Sequence, residues 1–366
     1  MSNAGMQHGN LEAYVRTFGR HTIGEYPFRD VDGLVLSYII YYNWKNIVPG
    51  TGEQIDLKTA ADRYYQEGRA CMKIVRGEFL RAVADSKRFG DMKLSDYVEK
   101  ETEGENPVRF TAMNIAFDDG RHFLVFRGLD DTVAGWRELF QMSYEPLPCE
   151  EEALAYLTRI VLRDPDSRPL YYTGGFSKGG TMALYAASKV GPLVQKRIRG
   201  IYAYDSPAIR TAVSNSVEFR RIGDRFRKVV PEDSFVGMIF ETKNPGKVVL
   251  SSADGPRQHD PMTWSIENGQ FLTIRKDMLK EQHSVKIVNR WCGMTTNVQK
   301  KEFIKFLFNT IDTMRNNYDY EDILTAFIGK IKRQVETIII TKPVMWYAVL
   351  NLLRSFLTYA AEGWHD

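Results

Sequence analysis

The stretch YYTGGFSKGGTMALYAASK spans Tyr171–Lys189, and its reading decides the fold. An apolar run, Leu170–Thr173, predicts a short buried strand. Gly175-Phe176-Ser177-Lys178-Gly179 follows, with Gly180 extending it. Thr181–Lys189 then has the composition of a helix. Strand, glycine-boxed serine and helix in that order form the setting of a nucleophile elbow. The serine must stand in a strained turn so that its hydroxyl clears the sheet. The glycines must be small because strand and helix approach closely there. The helix N-terminus then aims N–H groups and a positive dipole at the reacting centre. A phosphate loop is a poorer reading, because the Lys-Ser/Thr order of that motif is missing.

Downstream, the chain alternates short apolar runs with helical segments. Strands are predicted at Ile201–Tyr204, Arg227–Val230 and Lys247–Ser251. That rhythm predicts a mostly parallel α/β sheet. Upstream, residues 30–48 read as a helix and residues 58–90 as a second helical region. Two apolar runs within 109–128 flank Asp118-Asp119-Gly120, a strong hairpin signal. Helices are expected after Gly128 and over Glu150–Arg163. From about Val298 the pattern is helical to the end.

A serine hydroxyl is a weak nucleophile without a base, and the base needs an orienting acid. In hydrolases built on this elbow the order is Ser, acid, His. His259 follows the Lys247–Ser251 strand and is the expected base. His283 lies in an amphipathic run, His122 begins an upstream strand, and His365 lies near the chain end. Asp233 follows the second strand after the elbow and is the expected acid. Asp205 follows the first and is the alternative, with Glu232, Asp254 and Asp260 weaker. Functional groups in such sheets collect at the carboxyl ends of strands. The oxyanion donors expected are the backbone N–H groups of Lys178 and, from the strand-end loop Arg127–Asp130, of Leu129.

The blocks FRGLDDTVAGW, GGFSKGGTMALYAA, YDSP, PEDSFVGM and QHDPMTW together resemble a family. It is the lipase-like α/β-hydrolase family of bacterial proteins of unknown function, related to the class 3 (fungal-type) lipases. The matching blocks run over roughly residues 25–295. The resemblance implies an α/β-hydrolase fold and a Ser177–Asp233–His259 triad. In class 3 lipases Thr or Ser usually follows FRG; here the residue is Leu129, so a hydroxyl's help to the oxyanion is lost.

The totals bound the rest. The chain has 366 residues, 43% hydrophobic and 26% charged, with net charge +3. That supports one large or two smaller folded units and gives no reason to expect nucleic-acid binding. Three widely spaced cysteines suit neither a disulfide framework nor a metal knuckle, so a reducing, cytoplasmic compartment is expected. Residues 1–5 read as a cloning remnant without a signal peptide. Residues 6–297 read as the hydrolase domain, and 298–366 as a helical extension packed on it. No apolar run reaches the roughly 18 residues of a membrane span. No metal or organic cofactor is expected.

The functional expectation is a serine hydrolase of an ester-type carbonyl, on a small-molecule or lipid acyl substrate. Two alternatives stand beside it. One is an acyltransferase using the same residues. The other is a non-catalytic interaction protein, whose tail stripe from Ile304 to Ile311 would dock a partner or a second copy. Pro261–Gln282, rich in Met, Trp, Phe and Ile, reads as ordinary core packing or as an acyl-binding wall or lid.

Overall fold

The computed structural model describes residues 9–72, 75–103, 107–128, 133–163, 169–240, 246–275, 289–290 and 292–315. The chain gathers into two compact units, residues 1–130 with 146–280, and residues 131–145 with 281–366.

The first unit opens with helices α1 (Leu11–Phe18) and α2 (Asp30–Ile39). The short strand β1 (Ile55–Asp56) leads into α3 (Leu57–Gln66), and α4 (Gly77–Ala84) follows. The helix expected over 30–48 thus ends at Ile39. Residues 40–48 form a loop in which Ile40, Tyr41, Tyr42 and Trp44 are fully enclosed while Asn43, Lys45 and Asn46 are exposed. Their apolar spacing reflects enclosure in the core, not helical period. The Trp44 indole donates to the Ile39 carbonyl, and Asn46 takes a positive φ of 64°.

Strands β2 (Lys93–Thr102), β3 (Val108–Ala116) and β4 (His122–Phe126) form an antiparallel meander. The Asp-Asp-Gly hairpin lies between β3 and β4 as expected, with Gly120 at φ 77°. Strand β2 went unread in the sequence because its second half, Glu99–Thr102, is charged or polar and faces water. Helix α5 (Val133–Gln141) belongs to the second unit. The first unit resumes with α6 (Pro148–Leu162), β5 (Tyr171–Phe176), α7 (Lys178–Lys189), α8 (Pro192–Arg197) and β6 (Ile198–Tyr204). Helices α9 (Thr211–Ser214) and α10 (Val217–Arg220) precede β7 (Phe226–Pro231) and β8 (Lys247–Val249). Strands β9 (Ile266–Glu267), β10 (Gln270–Phe271) and β11 (Thr273–Ile274) close the unit.

Among the described residues nine strands form one sheet in the order β1-β2-β3-β4-β5-β6-β7-β8-β11. Neighbours from β4 to β8 are parallel, and the pairs outside them are antiparallel. A mixed sheet with a parallel centre and helices between its strands is the α/β architecture expected of an α/β-hydrolase fold. Register brings the carboxyl ends of the parallel strands level: Phe126 pairs Gly175, Phe176 pairs Tyr204, and Tyr204 pairs Val229.

Four apolar residues in the described part of Pro261–Gln282 belong to the core. Met262, Trp264, Ile266 and Phe271 are buried in the same cluster as α1 and α2. A two-residue turn at Asn268 (φ 50°) and Gly269 (φ 74°) joins β9 to β10. Asn-Gly tolerates two successive positive φ values, which such tight hairpins require. Residues 276–282 lie outside the described residues.

His122 shows how polar groups are carried inside this unit. Its Nδ1 faces Asn114 Oδ1 at 3.0 Å, and Asn114 donates on to Ser95. Burial holds the His122 pKa below 6.5, with Arg197 and Arg163 adding to the effect and Asp96 opposing it. The unfolded chain therefore takes up a proton that the native protein refuses. Stability is fully present above the unfolded value, about 6.5, and falls as pH drops from there towards the lower folded value. We expect His122→Gln to flatten the fall of Tm with pH in that window. An unchanged slope by scanning calorimetry would remove His122 from the account.

In the second unit, α11 (Asn297–Arg315) packs on α5. Phe140 and Phe308 meet with ring centroids 6.2 Å apart, and the Arg137 guanidinium stands 5.4 Å from the Phe308 ring. Ile304 and Phe308, members of the tail stripe, are buried. The tail beyond residue 315, with the expected docking helices, lies outside the described residues. Among the described residues no helix is long and apolar enough to cross a membrane.

Candidate active site

Ser177 stands between β5 and α7 at φ 56°, ψ −136°. A positive φ at a non-glycine residue is strained, and the surroundings hold it. Its N–H donates to the Tyr204 carbonyl at 2.8 Å, continuing the β5–β6 ladder. Gly179 permits the close approach of α7 to the sheet: a Cβ there would lie 2.1 Å from the Phe126 carbonyl oxygen. Ser177 is 1% exposed, and its Oγ makes no hydrogen bond among the described residues.

Asp205 repeats this geometry on the next strand. It follows β6 directly, at φ 43°, and its N–H donates to the Val229 carbonyl at 2.8 Å. Its carboxylate is buried and fully engaged. Oδ1 accepts from the Ser234 hydroxyl and from the Gly237 N–H at 3.0 Å. Oδ2 lies 2.6 Å from His259 Nδ1.

His259 ends a short 3-10 turn, Gly255–His259, after β8. Gln258 fixes that turn. Its Oε1 accepts from the Asp233 N–H at 2.8 Å and its Nε2 donates to the Ala253 carbonyl at 2.9 Å. The Trp264 indole donates to the Gln258 carbonyl at 2.8 Å. The His259 ring rests on Phe176, with centroids 4.6 Å apart, beside the serine.

The expected pairing of Asp233 with His259 is not the one the structure makes. The carboxylate on His259 is that of Asp205, the alternative, and not that of Asp233. Asp233 sits in the turn after β7, where its N–H is used to hold Gln258. Its neighbour Ser234 supports Asp205. This turn thus braces the Asp205 carboxylate from the next strand. Asp260, next to His259, is set apart: burial raises its carboxyl pKa, and Oδ1 accepts from the Met262 N–H at 2.9 Å.

Of the expected oxyanion donors, Lys178 opens α7 directly after Ser177. Leu129 lies outside the described residues, as does His283. Gly128, just before Leu129, is packed on the elbow. A Cβ there would lie 2.6 Å from the Phe176 carbonyl oxygen and 3.0 Å from Ser177 Cβ. The Gly128 N–H donates to the Tyr41 hydroxyl at 2.9 Å, and that hydroxyl donates to the Phe176 carbonyl at 3.3 Å. Tyr41 thus ties the FRG loop to the elbow. Sequence reading missed Tyr41, Gln258 and Ser234 in these roles. Only the short spacing of Gln258 to His259 gave any signal.

A family model described as Mbeg1-like matches residues 83–309, more than half of the chain. The chain belongs to the Mbeg1-like family. Among solved structures, the chain is similar to M37 lipase, at 13% identity and a TM-score of 0.34, covering 58% of this chain and 69% of that one. It is also similar to a fungal lipase in complex with an inhibitor, at 15% identity and a TM-score of 0.35, covering 54% and 78%. No curated protein matches the chain.

Proposed function

We propose that this Mbeg1-like protein is a serine hydrolase of carboxylic esters, with Ser177 as nucleophile, His259 as base and Asp205 as orienting acid. The observation that carries the reading is the 2.6 Å contact between His259 Nδ1 and a buried Asp205, beside a serine in a strained strand-to-helix turn. A proton on Nδ1, facing the carboxylate, leaves the Nε2 lone pair to receive the Ser177 proton. Ser177 Oγ then attacks the carbonyl carbon, and His259 returns the proton to the leaving oxygen. Water, activated by the same imidazole, hydrolyses the acyl-serine. The developing oxyanion takes backbone N–H donors from Lys178 and Leu129, the first reinforced by the α7 dipole. Acyl transfer to an acceptor other than water uses the same residues.

A fluorophosphonate probe tests this directly. Wild type is expected to label, and Ser177→Ala and His259→Ala to lose labelling at unchanged Tm. Labelling kept in Ser177→Ala would place the nucleophile elsewhere. A second reading, a non-catalytic scaffold, is favoured by Ser177 being 1% exposed with no hydrogen bond to His259. A folded wild type that never labels would leave that reading standing.

A further inference from the structure

A small polar cleft of about 30 Å³ opens beside the elbow, where Gly128 and Lys178 form part of its wall. Its charged lining, Lys100, Arg109, Arg127 and Lys178 with Glu99 and Glu101, is of mixed sign. Lys100 pairs with Glu152 at 2.7 Å, Arg109 with Glu101 at 3.6 Å and Arg127 with Glu99 at 3.2 Å.

The strands explain why these groups meet. Thr111 on β3 pairs with Glu99 on β2, and Arg127, just past β4, donates its N–H to the Thr111 carbonyl at 3.0 Å. Cross-strand partners share a face. Glu99, Thr111 and Arg127 therefore form one polar row at the end of the sheet that bears Ser177.

Two groups in that row are underused. The Arg127 guanidinium gives one hydrogen bond, from Nη1 to Glu99 Oε1 at 3.2 Å, and no other among the described residues. A guanidinium carries five N–H donors in a fork that matches carboxylate and phosphate. The Thr111 hydroxyl is buried, at 2% residue exposure, and has no hydrogen-bond partner among the described residues. A buried hydroxyl without a partner is costly unless something completes it. Glu99 is then an internal anion half-filling a fork that a doubly accepting ligand would fill better.

We propose that this cleft is a subsite for an anionic group of the ester substrate, a phosphate or carboxylate, held by Arg127 with Thr111 and opposed by Glu99. The inference rests on the hydrolase reading for the word substrate, but its test does not. Titration calorimetry of the full chain would use two probes. One is inorganic phosphate. The other is phosphatidylcholine vesicles carrying phosphatidic acid, against plain phosphatidylcholine vesicles.

Phosphate is expected to bind wild type and Ser177→Ala alike. Arg127→Met is expected to weaken binding about tenfold or more, the usual worth of a charge-assisted hydrogen bond. Glu99→Gln is expected to tighten it severalfold, a gain that misfolding cannot mimic. Binding of the anionic vesicles but not of free phosphate would assign the subsite to a lipid headgroup; the reverse would assign it to a soluble anion. No saturable binding of either probe, or binding indifferent to both Arg127→Met and Glu99→Gln, overturns the proposal. Because the Ser177→Ala arm needs no turnover, a failed labelling experiment and a failed binding experiment are separate results.

Discussion

Asp205→Asn should slow fluorophosphonate labelling of Ser177 by roughly 10³–10⁴-fold, while Asp233→Asn should change it by no more than about threefold. The first figure follows from the tautomer. The Asp205 carboxylate accepts from His259 Nδ1, and a carboxamide in its place can present an N–H instead. The imidazole would then carry its proton on Nε2, where the serine needs a lone pair. The geometry would survive and the base would not. The second figure follows from what Asp233 supplies: its N–H, not its carboxylate, holds Gln258, and asparagine keeps that N–H. Both variants should be read at matched Tm, since Asp205 also anchors Ser234 and Gly237. The assignment is wrong if Asp233→Asn proves the slower of the two.

Arg88→Met should destabilise the protein by about 3–5 kcal/mol, because it strands a charge in the core. Arg88 and Asp32 are both fully enclosed. The pair is bidentate, with Nε to Oδ1 and Nη2 to Oδ2 each at 2.5 Å. Asp32 also accepts from the Tyr14 hydroxyl at 2.6 Å and the Arg29 N–H at 2.8 Å. Arg88 reaches the Tyr26 and Thr22 carbonyls at 3.0 and 3.2 Å. Residues 14 to 32 and residue 88 are thus tied at one point, where desolvation makes any unpaired charge expensive. The double variant Asp32→Asn/Arg88→Met should recover part of the loss, since it removes the orphaned charge. Urea melts of the three proteins decide it. A loss below about 1 kcal/mol for Arg88→Met would mean that water reaches Asp32.

The elbow was readable because its information is local. Strand, serine, glycines and helix occupy adjacent positions, and each residue's chemistry constrains the next. The parallel core followed from alternating apolar runs, and the β3–β4 hairpin from one Asp-Gly step. Ser177 and His259 could be nominated because few serines and histidines stand just after predicted strands. Helix α2 ends earlier than its local pattern predicts, because the enclosed apolar residues 40–42 and 44 continue the apolar run past Ile39 without continuing the helix.

By itself, then, the sequence determined the α/β order, the strained turn at Ser177 and the short set of acids and bases. The tertiary structure alone decided which carboxylate meets His259. Asp205 and Asp233 both follow strands in the right order, and no local rule separates them. Their difference arises 54 residues after Asp205, where the Gly255–His259 turn delivers an imidazole. Gln258 and Trp264 pin that turn, and the Phe176 ring supports the imidazole. The link from Tyr41 to Gly128, 87 residues along the chain, is of the same kind. Side-chain pattern is written in neighbouring residues, whereas the partner of a buried carboxylate is set by strand register and loop path. Those are properties of the folded chain as a whole.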